Sequence, residues 1–302
     1  SVTPVHIAFD ECVKSAFQRG LRVTGSELVG LIPLSAMTDA GKYFLKKQKR
    51  STGVSEEELI RIAIKSMGLD ELGPFKPEER IIEYRLRDAA QERLVGMRLR
   101  EFANETAAES PAPGGGSISA YVGALGVSLG SMVGNLSSHK KGMDDRWEFF
   151  SDWAEKGQQL KDELLFLVDE DTRSFNRIMA AFGLPKATEE EKKARSTEIQ
   201  AATRYATEIP LRVMKAAYAS LAIIKAMAEE GNPNSVTDAG VGALCARTAV
   251  QGAYLNVRIN ASGLKDKEFV DGILKEAAAV MEKAKIEEKV ILETVERKIT
   301  TA

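Results

Sequence analysis

Apolar residues recur at intervals of three and four along most of this chain, the spacing that lets a helix bury one face. From about residue 85 onward nothing alternates as a strand would. The periodicity there predicts helices near residues 88–106, 117–137, 144–181, 189–209, 210–230, 236–260 and 267–298, with Pro210 opening the fifth. Seven helices with short joins make an all-α bundle over residues 85–302. Glu189, Glu190 and Glu191 at one helix start and Lys298 near the last helix end suit the helix macrodipole. The final helix mixes Glu282, Lys283, Lys285, Glu287, Glu288 and Lys289, as a solvated outer face does, and no chemistry is read there.

Residues 1–84 read differently. Pro4 starts a helix carrying Ile7, Ala8, Cys12, Val13 and Phe17, and Gly20 stops it. Leu21, Val23, Leu28, Val29, Leu31 and Ile32, interrupted by Thr24 and Gly25, predict a strand followed by an irregular turn. Pro33 opens a second helix to about Lys47. Ser55 with Glu58 is a capping box for a third helix ending at Gly68. A connector at 73–77 leads into 80–84. The expectation is a small truncated α/β subdomain with too few strands for a sheet of its own, so that an open edge would invite pairing with another chain. It begins mid-topology, as though an N-terminal part were missing. The fold class expected overall is therefore mainly α, a helical bundle over 85–302 preceded by an α/β piece over 1–84.

With 302 residues, 44% hydrophobic and 28% charged, the chain has the composition of an ordinary globular protein long enough for two domains. Its 42 Lys and Arg against 44 Asp and Glu argue against wholesale nucleic-acid binding, which needs a cationic excess. Small molecules and other subunits are the expected partners. Cys12 and Cys245 form no CxxC pair or disulfide framework, which fits a reducing cytoplasm. Residues 1–10 show no signal-peptide pattern, and Ser1 in place of Met suggests processing or truncation. His6 and His139 are the only histidines and HExxH is lacking, so neither His-rich zinc chemistry nor a Ser-His triad is expected. Acid–base work then falls to carboxylates, Lys, Tyr or Cys.

Residues 110–138 carry no formal charge, and about 20 apolar residues can cross a bilayer. Pro111, Pro113 and three glycines take up the first part, however, while Ser117, Ser119, Ser128, Ser131 and Asn135 are dispersed through the rest. A buried central helix is expected instead of a membrane span. Gly126, Gly130 and Gly134 share one face of it, where a neighbouring backbone can approach, and are the candidate subunit contact.

Four groups of residues could carry chemistry. Pro113, Gly114, Gly115, Gly116 and Ser117 precede that helix, and mobile glycines at a helix N-terminus can cradle an anion or polar ligand. They match neither GxxxxGK[ST] nor GxGxxG, and a plain helix cap is an equal reading. Asp169, Glu170, Asp171 and Thr172 form an acidic run. Such runs are commonly solvated surface, but Leu164, Leu165, Leu167, Val168, Phe175, Ile178 and Met179 crowd this one, so one carboxylate is expected to look into the bundle with a raised pKa. Asp238 lies in the first turn of a helix whose later part holds Asn256 and Asn260, one turn apart in an apolar run. Buried amides need partners, which an internal network or a polar ligand supplies equally well. Lys140 and Lys141 could meet an anionic ligand tail or lie in an ordinary exposed loop.

Together these segments resemble one family, the bifunctional formimidoyltransferase-cyclodeaminases. The resemblance is carried by APGGGS at 112–117, GSMVG at 130–134, residues 168–175 with Leu184, Pro185 and Lys186, Ile209 with Pro210 and Leu211, 235–238, and GAYLNVRIN at 252–260. In the first part TPVHIAF at 3–9, VGLIPL at 29–34, 68–70 and ERIIEY at 79–84 resemble the later part of the transferase domain. The transferase subdomain bearing the family's catalytic histidine is not in the sequence, so transfer from formiminoglutamate is not expected of this chain alone.

The resemblance implies that residues 85–302 convert 5-formimidoyltetrahydrofolate into 5,10-methenyltetrahydrofolate and ammonia, a lyase step in histidine degradation and one-carbon metabolism. It maps the acid–base residue onto Asp171. Gly114, Gly115, Gly116, Ser117, Asp238, Asn256 and Asn260 are expected to contact the folate or orient Asp171, with Lys140 and Lys141 at a polyglutamyl tail. Tetrahydrofolate is the carrier, with no metal, and a homodimer or larger homo-oligomer is expected in the cytoplasm. Two alternatives stand: a methenyltetrahydrofolate cyclohydrolase of the same fold, and a non-catalytic assembly protein.

Overall fold

A computed structural model describes residues 3–86 and 94–301. The chain divides into two compact units, one of Ser1–Asp88 with Asn135–Glu155 and one of Ala89–Gly134 with Lys156–Ala302.

The first unit is built on α1 (Val5–Gln18), α2 (Leu34–Lys47), α3 (Glu56–Met67) and the short α4 (Pro77–Arg80) and α5 (Ile82–Leu86). Pro4 and Pro33 stand immediately before α1 and α2, where a missing N–H costs nothing. Ser55 accepts from the Glu58 N–H at 3.3 Å, as its spacing predicts, while the Glu58 carboxylate pairs with Arg61. Met37, Ala40, Phe44, Ile60, Ile64, Met67 and Ile81 form the core. Residues 51–53 are fixed from the other segment of this unit: Ser151 Oγ accepts from the Thr52 N–H at 2.9 Å, and Asn135 Nδ2 donates to the Gly53 carbonyl at 2.8 Å.

The strand expected within 21–32 is reduced to one parallel bridge, Ile32 to Ile81. Ile32 N–H donates to Arg80 O and Ile82 N–H to Ile32 O, each at 3.0 Å. A strand is held by its ladder, and here one residue finds a partner. Leu21, Val29 and Leu31 consequently remain exposed.

The second unit contains α6 (Leu99–Ala107), most of α7 (Gly115–Ser138) and of α8 (Trp147–Phe182), then α9 (Glu189–Glu230), α10 (Val236–Ala261) and α11 (Lys267–Thr301). The helix expected from residue 88 begins at Leu99; its 88–93 portion lies outside the described residues. Small residues make α10 a central helix: Ala239, Ala243, Ala246, Ala249 and Ala253 are fully buried, and α9 and α11 both pack on it. Gly126 is where α7 meets α10, since a Cβ there would lie 2.9 Å from the Gly242 carbonyl oxygen and 3.0 Å from Cys245 Cβ. The glycine face of α7 is thus used inside its own subunit. Gly130 likewise meets Ile224 of α9, so at Gly126 and Gly130 the expected subunit contact gives way to packing within the chain. Of the most apolar stretch of α7, 61% is buried within the fold.

Pro210 does not begin a helix. α9 runs unbroken for 42 residues with Pro210 inside it, so the two helices expected at 189–209 and 210–230 are one. An interior proline usually costs about 3 kcal/mol by deleting the bond to residue i−4 and crowding that carbonyl. Here Pro210 is buried, and the freed carbonyl, that of Ala206, accepts 2.7 Å from Asn260 Nδ2 on α10. A side chain takes over the role of the absent amide.

Candidate active site

The three consecutive acids on α8 have three separate duties. Asp169 is buried and accepts from the main-chain N–H groups of Leu94 at 2.7 Å and Val95 at 3.4 Å. Glu170, also buried, accepts from Tyr205 Oη at 2.5 Å and pairs with Arg173 at 2.9 Å. Both are absorbed by the architecture.

Asp171 meets the glycine turn. Its Oδ2 accepts from the Ser117 N–H at 2.9 Å and from the Ser117 hydroxyl at 3.0 Å. That N–H belongs to the first turn of α7, where main-chain donors lack helical partners and the macrodipole favours negative charge. Ser117 is fully buried and its Oγ also lies 2.9 Å from the Val168 carbonyl, which fixes the hydroxyl against α8. No described residue donates to Asp171 Oδ1. A Cβ on Gly116 would fall 2.5 Å from Asp171 Cγ and 2.6 Å from Oδ2. Residue 116 sits in ordinary helix, so it is glycine because of the carboxylate above it, with no backbone strain involved.

Burial pushes the Asp171 carboxyl above its ordinary value of 3.8, and the two Ser117 bonds pull against that only in part. A carboxyl tuned upward and anchored through one oxygen is better suited than an ordinary aspartate to take and return a proton.

Around it lies a cleft of about 160 Å³ lined by the 111–116 turn, by Asp171, Thr172, Ser174, Phe175 and Ile178 of α8, by Ala206 of α9 and by Asn256 and Asn260 of α10. Of the residues expected from sequence, Gly114, Gly115, Gly116, Asp171, Asn256 and Asn260 come together here, with Ser117 directly behind Asp171. Asp238 does not join them. It occupies the first turn of α10, and 18 residues at 1.5 Å each put it about 27 Å along the helix from Asn256. Lys140 and Lys141 follow the other end of α7, belong to the first unit and do not line the cleft. The amide pair uses both explanations in part: Asn256 Nδ2 donates to the Gly252 carbonyl at 2.9 Å and Asn260 Nδ2 to Ala206, while both residues line the cleft. Sequence reasoning missed Ser174, whose hydroxyl donates to the Asp171 carbonyl at 2.7 Å, and Ala206. The signal for Ala206 was present, since an interior proline frees the carbonyl four residues before it.

The second unit is a helical bundle that sets a half-buried aspartate against a glycine turn beside a cleft. Comparison with known proteins gives the lineage. The family model described as formiminotransferase-cyclodeaminase matches residues 98–279, and that of the formiminotransferase domain matches 1–87. The formimidoyltransferase-cyclodeaminase of Rattus norvegicus is 35% identical over 296 residues, 98% of this chain and 54% of the relative. The methenyltetrahydrofolate cyclohydrolase of Methylorubrum extorquens is 37% identical over 201 residues, 67% of this chain and 97% of its own length. The crystal structure of a formiminotetrahydrofolate cyclodeaminase from Thermotoga maritima superposes with a TM-score of 0.62 at 25% identity, over 68% of this chain and all of that one. The chain belongs to the formiminotransferase-cyclodeaminase family; the Methylorubrum extorquens and Thermotoga maritima relatives are named for tetrahydrofolate substrates, and the chain spans about half the length of the formimidoyltransferase-cyclodeaminase relatives.

Proposed function

We propose that this protein is a formimidoyltetrahydrofolate cyclodeaminase, an ammonia-lyase, with Asp171 as its acid–base residue. The observation that carries the reading is the asymmetry of that carboxyl: Oδ2 is held by Ser117 at 2.9 and 3.0 Å, while Oδ1, beside the glycine turn, has no donor among the described residues. In the substrate the formimidoyl group on N5 is an amidinium. N10 attacks its carbon, forming the N10–C bond and moving the C=N electron pair onto the terminal nitrogen. Asp171 takes the proton from N10 and delivers it to that nitrogen. The C–N bond then breaks, ammonia departs with the electron pair, and a ring nitrogen's lone pair restores the C=N⁺ of the methenyl product. Charge and atoms balance, and Asp171 ends as it began. Attack is intramolecular, so orientation of the folate in the cleft contributes much of the acceleration.

The likeness to the Methylorubrum extorquens cyclohydrolase supports a second reading in which Asp171 activates a water toward the methenyl carbon. Supplying each folate separately decides between them. The cyclodeaminase reading expects stoichiometric ammonia and rising methenyl-folate absorbance from 5-formimidoyltetrahydrofolate. Absorbance loss from methenyltetrahydrofolate with no ammonia chemistry would replace it with the second. Self-association is part of the proposal. Leu125 and Met132 on α7 and Val241, Leu244 and Leu255 on α10 are exposed apolar side chains that support it, and light scattering on the purified protein tests it.

A further inference from the structure

The proline inside α9 bears on the site through the cleft it borders. Because Pro210 has no N–H, the Ala206 carbonyl lacks its helical partner, and the pyrrolidine ring crowds it sideways. Asn260 Nδ2 occupies that position at 2.7 Å. Ala206 and Asn260 both line the cleft. An Asn side chain on a helix has several rotamers, and its amide can turn either end outward. Here the bond to Ala206 selects one arrangement and assigns the nitrogen to the carbonyl. Asn260 Oδ1, to which no described residue donates, is left as an acceptor at the cleft. Asn256, one turn earlier on the same face of α10, has its nitrogen engaged within its own helix, on the Gly252 carbonyl. Two cleft-lining residues of α10, one turn apart, thus have an amide nitrogen engaged by a carbonyl.

We propose that Pro210 and Asn260 form a positioning pair: the donor missing from α9 anchors the Asn260 amide, which holds its oxygen ready to accept from an N–H of the bound heterocycle. Resting on the folate reading, this assigns the amino-pyrimidine edge of the pterin, rich in N–H donors, to the α10 wall. Pro210 touches no substrate in this account and acts through Asn260.

Four proteins test the pair: the wild type, Asn260→Ala, Pro210→Ala and the double variant, each followed by thermal melting and by KM and kcat for 5-formimidoyltetrahydrofolate. In the wild-type background Asn260→Ala lowers the melting temperature, because the Ala206 carbonyl loses its partner. It also raises KM about tenfold, the worth of one hydrogen bond, with little change in kcat. With Pro210→Ala the restored main-chain N–H serves Ala206. The melting cost of Asn260→Ala then disappears, while its KM defect persists. Pro210→Ala alone melts at or above the wild type and has a raised KM, because the carbonyl no longer needs Asn260. An equal melting cost in both backgrounds overturns the anchor. An unchanged KM in Asn260→Ala overturns the acceptor role. If the wild type turns over no folate, the proposed function and the acceptor role fall together, whereas the melting comparison still decides the anchor by itself.

Discussion

Gly116→Ala probes the site with one methyl group. In the structure an added Cβ would lie 2.5 Å from Asp171 Cγ and 2.6 Å from Oδ2, where real Cβ contacts under 3.0 Å are essentially never seen. The carboxyl must retreat by about 1 Å, and a displacement of that size at a reacting group can cost about 10²-fold in rate. The helix itself gains, since Ala exceeds Gly in helical propensity by up to about 1 kcal/mol. Loss or stretching of the Ser117 bonds opposes that by about 1.5–3 kcal/mol, the range for hydrogen bonds to a charged group. The expected result is a modestly lowered melting temperature with kcat/KM for ammonia release reduced about 10²-fold. Gly115→Ala supplies the stability control: its Cβ meets nothing nearer than Asn256 Nδ2 at 3.4 Å, so it should melt at or slightly above the wild type. If Gly116→Ala folds and keeps kcat/KM within about threefold of the wild type, a fixed Asp171 carboxyl is not what the site requires.

Ser117→Ala removes the hydroxyl donated to Asp171 at 3.0 Å but keeps the N–H bond at 2.9 Å. With less opposing burial, the Asp171 pKa should rise further, visible as an upward shift of the acidic limb in the pH profile of kcat/KM, at a cost of about 1–3 kcal/mol in stability. Asp171→Asn should melt at or above the wild type at neutral pH. Below the unfolded carboxyl's ordinary 3.8 both states are protonated; as pH rises from there the unfolded chain ionises first, so the raised folded value withdraws stability that Asn does not lose. A melting advantage that fails to fade in acid would contradict this. In the first unit the sign reverses at Asp10. Burial alone would raise its pKa, but hydrogen bonds from Lys47 at 2.6 Å and Tyr43 at 2.5 Å outweigh it and hold the value below 3.8. Its stabilisation is present above that pH and lost as pH falls through the folded value, so Asp10→Asn should narrow the difference between acid and neutral melting temperatures.

Helices were legible where one face is apolar and the boundaries carry capping chemistry, as at Pro33 or Ser55. Local signals failed wherever a distant partner decides. Pro210 reads as a boundary because its repair comes from Asn260, 50 residues away in sequence. Residues 21–32 have strand composition but find a single bridging residue, Ile81. At the site, the apolar neighbours of Asp171 indicated burial, and the glycines indicated a close approach. What approaches Gly116 could not be read from spacing, since α7 and α8 meet only in the folded bundle. Asp238 shares the chemical type of the site residues, but 18 residues of helix separate it from Asn256, and Lys140 and Lys141 belong to the other unit.

The central claim is that one carboxyl moves the proton between the two folate nitrogens. Ammonia release by Asp171→Asn, measured beside its folate affinity by calorimetry, tests it most directly. Affinity should stay close to the wild type while turnover falls by about 10²–10⁴-fold, the contribution of a positioned acid–base group. A folded Asp171→Asn protein that binds folate and releases ammonia at the wild-type rate would contradict it.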